Sequence, residues 1–215
     1  MCIRDRQNGI YSDIPKATLN EWFEKWMDIY KSNLKLTTRE LYTRYWNNYV
    51  RESNIGNMRI DRIKRVHIVE LYKELLENKE LATATVHTLH VIIYGCFEDL
   101  VQDNALQSNP AKKAFSRIGK RPAKKREPLT VKQQENFITF VSESPTYRVY
   151  LPMFSFFLGT GVRVSELMGL TWKDIDLFQG SVSINHAMHY TNVNGKMTYH
   201  VTTPKSESGN RDIPL

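Results

Sequence analysis

The chemistry in this 215-residue sequence gathers around one arginine. Arg163 follows Gly159 and Gly161 closely and precedes Glu166 by three residues. Glycine permits a sharp turn of the backbone. A turn here would present Arg163 from the start of a short helix that follows the apolar run 149–158. A helix start gathers free N–H groups and the positive end of the dipole, so an anion fits beside it. Glu166 would share a helical face with Arg163 and could hold the guanidinium still. The pattern predicts an arginine that grips a phosphate. The plainer alternative is a structural cation at a helix start, paired to Glu166.

Charge says whose phosphate it is. The net charge of +7 is concentrated in residues 107–126, which hold Lys112, Lys113, Arg117, Lys120, Arg121, Lys124, Lys125 and Arg126 and no acid. Residues 1–106 are balanced, with 15 basic and 15 acidic side chains, and 127–215 carry 7 and 8. A basic cluster of this kind points to nucleic acid, with a merely solvated or membrane-surface segment as the alternative. Few large apolar residues and two breakers, Gly119 and Pro122, give the segment the composition of an interdomain linker. Such a linker can lie along a DNA backbone, adding affinity and salt dependence without sequence choice.

The elements on either side must position these groups. Thr18 with Glu21 forms a capping-box pattern, and Leu19, Trp22, Phe23, Trp26, Ile29 and Tyr30 follow at helical spacing. Core packing is the simpler use for these aromatics, and base stacking the alternative. Further helices are predicted over 38–53, after Ile60, Ile63 and Val66, and over 83–106, so that 16–106 forms a four-helix domain. His87 and His90 stand three apart without the further ligands of a zinc site, and Cys96 suits a core. A second domain opens at residue 127, where Thr130 and Gln133 repeat the capping box. Its run 149–158 is apolar nearly all round, which predicts a buried central helix. After Trp172 the pattern alternates, predicting strands over 174–177, 182–189 and 197–203, a hairpin turn at 192–195 and a further extended piece at 211–215. No run is long enough to span a membrane. Two cysteines, Cys2 and Cys96, form no disulfide framework and suit a reducing, cytosolic setting. Residues 1–6 resemble translated sequencing adapter, and 7–15 an extended lead-in.

At this point the sequence resembles a family. The run from Thr160 to Leu167, followed by Leu170-Thr171-Trp172-Lys173-Asp174-Ile175-Asp176, is similar to the arginine box of tyrosine recombinases, the integrases of phages and conjugative transposons. Thr203-Pro204-Lys205-Ser206, with Ser208, Arg211, Ile213, Pro214 and Leu215, resembles their lysine-bearing hairpin. The aromatic helix from Thr18 resembles their core-binding domain. The resemblance implies a mainly α protein with a small antiparallel β-sheet. An N-terminal four-helix SAM-like core-binding domain (16–106) and the basic linker (107–126) would precede the first part of the α+β catalytic domain of the DNA breaking-rejoining fold (127–215). It implies phosphoryl transfer without metal, nucleotide or other cofactor: a tyrosine attacks a DNA phosphodiester and forms a 3′-phosphotyrosyl link, which a 5′-hydroxyl of a second duplex reverses. In that scheme Arg163 stabilises the charge on the non-bridging oxygens, Glu166 supports it, and Lys205 donates a proton to the leaving 5′-oxygen. Arg211 reads equally as a DNA phosphate contact or a strand-pairing surface residue. His186, His189 and His200 do not take the place of the family's catalytic histidines. The partners implied are double-stranded DNA and, for a full-length parent, three further copies in a homotetramer on paired recombination sites. The setting implied is the bacterial cytoplasm, associated with the nucleoid.

The sequence also departs from the family. The His-x-x-Arg box, a later His or Trp and the nucleophilic Tyr would follow this hairpin, and none of the 11 tyrosines takes the nucleophile's place. The expectation is therefore a recombinase fragment that binds DNA without cutting it, with the preceding arm-site domain also lacking. Residues 127–215 are expected to expose an apolar patch. Three other functions compete: a short DNA-binding protein that occupies recombination sites, a type IB topoisomerase, and a helical protein–protein adaptor. Neutralising Lys120, Arg121, Lys124 and Lys125 together is expected to weaken DNA binding across all sequences. Each lost phosphate contact lowers the slope of log K against log salt by about 0.9. Unchanged affinity and slope in an anisotropy titration would remove the segment from the DNA contact.

Overall fold

A computed structural model describes residues 16–119, 127–193, 196–204 and 209–215. Two compact units result, Met1–Lys125 and Arg126–Leu215. The architecture is mainly helical with small antiparallel sheets, as the sequence predicts.

The first unit holds four helices: α1 (Leu19–Ile29), α2 (Leu36–Tyr49), α3 (Arg65–Glu77) and α4 (Thr83–Gln102). Helix α1 starts where expected. The Thr18 hydroxyl accepts the Glu21 N–H at 3.2 Å and Glu21 returns the bond to the Thr18 N–H at 2.8 Å. Its aromatics are core: Trp22, Phe23 and Trp26 are buried, and Phe23 stacks on Trp46 with ring centroids 3.9 Å apart. Each indole N–H has a partner, Trp22 on the Cys96 carbonyl at 2.9 Å, Trp26 on Asp99 at 2.6 Å and Trp46 on Asn20 at 2.9 Å. Fully buried, these rings are unavailable to stack on bases. Helix α4 runs through the middle, with Val86, Leu89, Ile92, Ile93, Cys96, Phe97 and Leu100 all buried. It ends four residues earlier than the pattern suggests, because Asn104 turns left-handed (φ +58°) and Ala105 and Leu106 fold back onto the Leu100 carbonyl. Helix α2 likewise stops at Tyr49, and the chain then wraps under α1. Gly56 lies so close to the Val50 carbonyl that a Cβ would sit 2.3 Å from it.

The basic segment is not all linker. Residues 109–118 pack on the first unit, with Ala111, Ala114 and Ile118 buried and a 3₁₀ turn at Phe115–Arg117. Asn109 pins the segment: its side-chain amide donates to the Tyr94 carbonyl at 3.1 Å and to Glu98 at 2.7 Å, and its oxygen accepts from the Ala111 N–H at 2.9 Å. The small residues that read as linker composition are small because they are buried against helices. Lys112, Lys113 and Arg117 remain on the exposed side. His87 and His90 are accounted for here too. Both pack on Phe115, His90 bonds the Tyr72 hydroxyl at 3.1 Å, and burial lowers the pKa of His90 below its ordinary value.

The second unit holds α5 (Val131–Glu143), α6 (Leu151–Thr160), α7 (Val164–Gly169) and five strands: β1 (Ile175–Asp176), β2 (Ser181–Ile184), β3 (Ala187–Val193), β4 (Lys196–Thr202) and β5 (Arg211–Pro214). The single strand expected over 182–189 is two strands in two sheets. One sheet is ordered β1-β2-β5 and the other is the hairpin β3-β4, both antiparallel. The switch falls at Asn185 and His186, where the His186 ring reaches across to the Gly169 carbonyl at 2.6 Å and holds the chain out of the first sheet. The hairpin tip at 194–195 lies outside the described residues. Val162, Val182 and Ile184 form a small core with Phe156, Phe157, Leu167, Leu170, Ile175 and Ile213 around it. Helix α6 is less enclosed than its all-apolar sequence predicts. It meets α5 through Phe137 and Phe154 and the small core through Phe156 and Phe157, yet none of its residues is fully buried. Trp172, Leu177 and Phe178 are also exposed, Phe178 almost entirely (99%).

Asn109→Ala is expected to destabilise the first unit by about 1–3 kcal/mol, since it leaves buried polar groups unpaired. Chemical denaturation measures this, and a change below about 0.5 kcal/mol, the range of ordinary surface substitutions, would show that the segment is not pinned there.

Candidate phosphate-binding site

Two short-range devices place Arg163. Helix α6 ends at Gly161, whose left-handed backbone (φ +64°) returns its N–H to the Phe157 carbonyl at 2.9 Å. Of the two glycines, Gly161 makes the turn, while Gly159 lies within α6. Val162 then plugs into the small core, and Arg163 becomes the extended residue that caps α7. The capping acid is Glu166. Its Oε2 accepts the Arg163 backbone N–H at 2.9 Å, and its Oε1 accepts from the Arg163 guanidinium at 2.6 Å. The predicted same-face pair is therefore present, with one difference. Helix α7 has only six residues, and the Arg163 N–H is already taken. The guanidinium, not a ring of free helix N–H groups, carries the positive charge.

A second arginine joins from the far end of the unit. Arg211 opens β5, where Ile184 is its register partner on β2. It donates to Glu166 through both terminal nitrogens, at 3.2 Å to Oε1 and 2.8 Å to Oε2, and also to the Gly209 carbonyl at 3.3 Å. One carboxylate thus accepts from two guanidiniums and one backbone N–H. The hydrogen bonds from Arg211, followed by those from the Arg163 backbone and side chain, hold the Glu166 carboxyl down at about 2 against the opposing cost of burial. The Arg211 guanidinium is correspondingly held more firmly protonated.

Exposure separates the three roles. The Glu166 side chain is 9% exposed and that of Arg211 31%, while that of Arg163 is 73% exposed. Arg163 is therefore anchored on one edge by Glu166 and open to solvent elsewhere, as a group awaiting an external anion would be. Beside it, Val164, Ser165, Met168, Met188, His189, Tyr190 and Tyr199 line a shallow groove between α7 and the β3-β4 hairpin.

Of the residues singled out in the sequence, Arg163, Glu166 and Arg211 come together in one cluster. Lys205, Lys120, Arg121, Lys124, Lys125 and Arg126 lie outside the described residues. Lys112, Lys113 and Arg117 are exposed on the first unit. Other arginines of the first unit, Arg39, Arg51 and Arg59, pair with Asp28, Glu24 and Asp61. His186 is a structural tie between the end of α7 and the start of β3, and His189 faces His200 across the hairpin. Among the described residues no three His, Cys, Asp or Glu side chains gather as for a metal, and no helix is long and apolar enough to cross a membrane. The pairing of Arg211 with Glu166, 45 residues away, is the feature sequence reasoning missed. A signal existed: alternation puts Arg211 on the same inward face as Ile213, where a cation needs an acid.

The fold that carries this cluster has known relatives. Residues 18–76 match the model of the phage integrase N-terminal SAM-like domain, and residues 127–209 that of the phage integrase family. A tyrosine recombinase XerC-like protein of Caldanaerobacter subterraneus subsp. tengcongensis is 24% identical over 215 residues, covering 97% of this chain and 55% of the relative. The transposase of transposon Tn916 from Enterococcus faecalis is 26% identical over 212 residues, covering 99% of this chain and 51% of the relative. The chain thus spans about half the length of these curated relatives. Among solved structures, the Tn1549 transposon integrase in complex with a circular intermediate DNA superimposes with a TM-score of 0.79 at 26% identity, over 92% of this chain and 61% of the other. A lambda integrase tetramer bound to a Holliday junction shares the fold, with a TM-score of 0.68 at 18% identity, over 98% of this chain and 53% of the other.

With a folded-state pKa near 2 against an ordinary 4.5, Glu166 contributes stability that is fully present above pH 4.5 and is lost as pH falls toward 2. Thermal melts of the native chain and Glu166→Gln are expected to differ at pH 6, and to converge as pH falls from 4.5 toward 2. A difference that does not change over that range would contradict the shared-carboxylate geometry.

Proposed function

Because the chain belongs to the phage integrase family of tyrosine recombinases, we propose that it grips DNA for a site-specific recombinase of a mobile element. The reaction is cleavage and rejoining of DNA through a 3′-phosphotyrosyl intermediate. The observation that carries the reading is Arg163, braced by the buried Glu166 and otherwise open to solvent. Bracing matters because a cation that stabilises a transition state must already be in place when charge develops on the non-bridging oxygens. A planar guanidinium suits this, since it can offer two donors to a phosphate while another stays on Glu166.

Lys205 is assigned as the proton donor to the leaving 5′-oxygen, and Lys112, Lys113, Arg117, Lys120, Arg121, Lys124, Lys125 and Arg126 as phosphate contacts along the duplex. The relatives' DNA complexes and the charge distribution support double-stranded DNA as the partner. A homotetramer on paired recombination sites is the assembly this chemistry calls for, since two duplexes must be cut and exchanged. The 215 residues contain no His-x-x-Arg sequence. By themselves they are therefore assigned DNA binding without cleavage, the activity belonging to the longer recombinase.

Arg163→Ala in a recombinase of the relatives' full length is expected to slow formation of the covalent protein–DNA adduct by at least about 10²–10³-fold. Most of the affinity for duplex should remain, and Arg163→Lys should not restore the rate. Adduct formation at the native rate in Arg163→Ala would overturn the assignment.

A further inference from the structure

Arg163 and Glu166 alone would form a neutral pair. An acid that holds a phosphate-binding arginine in place also cancels its charge and repels the phosphate it is meant to receive. Yet the site is not neutral, because the same carboxylate is shared with a second guanidinium.

The sharing is unequal in a telling way. Arg211 spans both carboxylate oxygens with its two terminal nitrogens, at 3.2 and 2.8 Å. The Arg163 side chain takes a single bond at 2.6 Å, while its backbone N–H uses the other oxygen. Arg211 is also tied to Gly209 and fixed by the β2-β5 register, with two-thirds of its side chain covered. Arg163 has neither restraint and is mostly exposed. One arginine is turned inward to the acid and the other outward.

We propose that Arg211 is a positioning residue for Arg163: by taking the bidentate ion pair with Glu166, it lets one carboxylate orient Arg163 while the cluster keeps a net positive charge for a DNA phosphate. The inference rests on the reading of Arg163 as a phosphate-binding group. It gives Arg211 a different role from direct contact with DNA. A lysine at 211 would keep the charge and lose the two-point hold, since its ammonium cannot span both oxygens with a rigid fork.

The test uses the 215-residue chain, a short DNA duplex and five proteins: native, Arg163→Ala, Arg211→Gln, Arg211→Lys, and Arg211→Gln combined with Glu166→Gln. Binding is measured against salt, and the Arg163 Nε–Hε resonance is followed by NMR. Arg163→Ala should lower the salt slope by about 0.9, as for one phosphate contact. Arg211→Gln should lower it similarly, because the remaining pair is neutral. Adding Glu166→Gln should bring the slope back, since the acid's charge is gone as well. Arg211→Lys should keep the slope but broaden the Arg163 resonance, and this variant decides the matter if Arg211→Gln does not fold. A slope that stays native in Arg211→Gln, or a loss that Glu166→Gln does not restore, overturns the inference. The second result would mean that Arg211 touches DNA itself or serves only the fold. If Arg163→Ala leaves the slope unchanged, the phosphate reading fails separately. The positioning claim then stands if the Arg163 resonance broadens in Arg211→Lys, and falls if it does not.

Discussion

A single carboxylate, that of Glu166, ties the second unit together. It caps α7, fixes the guanidinium of Arg163 and receives Arg211 from β5. Burying an acid is unfavourable unless charge and hydrogen bonds answer it, and here both do. The hydrogen bonds from Arg211 and Arg163 outweigh the cost of burial and hold its carboxyl down at about 2. The rest of the local fold follows from delivering these groups to one point. The Gly161 turn brings Arg163 round from α6, Val162 anchors the turn in the core, and the β2-β5 pairing carries Arg211 back from the end of the unit.

The two units solve different physical problems. The first is built for stability, with three buried indoles that each keep a hydrogen-bond partner and a central helix enclosed on its apolar side. The second has a small core and leaves large apolar side chains such as Trp172 and Phe178 in solvent. Its order depends more on polar ties: the Glu166 cluster, and His186 reaching the Gly169 carbonyl. Fewer apolar contacts beneath a site leave it more dependent on each such tie.

Much of this was legible in the sequence, because the signals were local. Capping boxes at Thr18 and Thr130, the aromatic stripe of α1 and the Arg163–Glu166 spacing each fall within one or two helical turns, and the structure contains all of them. The family followed from ordered motifs rather than from any single one, and the matches over 18–76 and 127–209 agree. Long-range choices were not legible. Residues 109–118 read as linker by composition, yet Ala111 and Ala114 are small because a helix lies against them. Period-two alternation slips at Asn185-His186, where two polar residues precede Ala187-Met188, but such a slip inside a strand pattern does not say that the chain changes sheets there. Alternation places Arg211 on the inward face of its strand, but which acid it meets there depends on strand register with a segment 45 residues away.

Arg163, as proposed, meets one DNA phosphate. This contact is tested most directly by removing that phosphate's charge. A series of duplexes, each with one methylphosphonate in place of a phosphate, is bound to the native chain and to Arg163→Ala. At one position the neutral linkage should weaken the native protein but leave the affinity of Arg163→Ala unchanged, since the partner of that phosphate is already gone. Equal losses for both proteins at every position would contradict this contact.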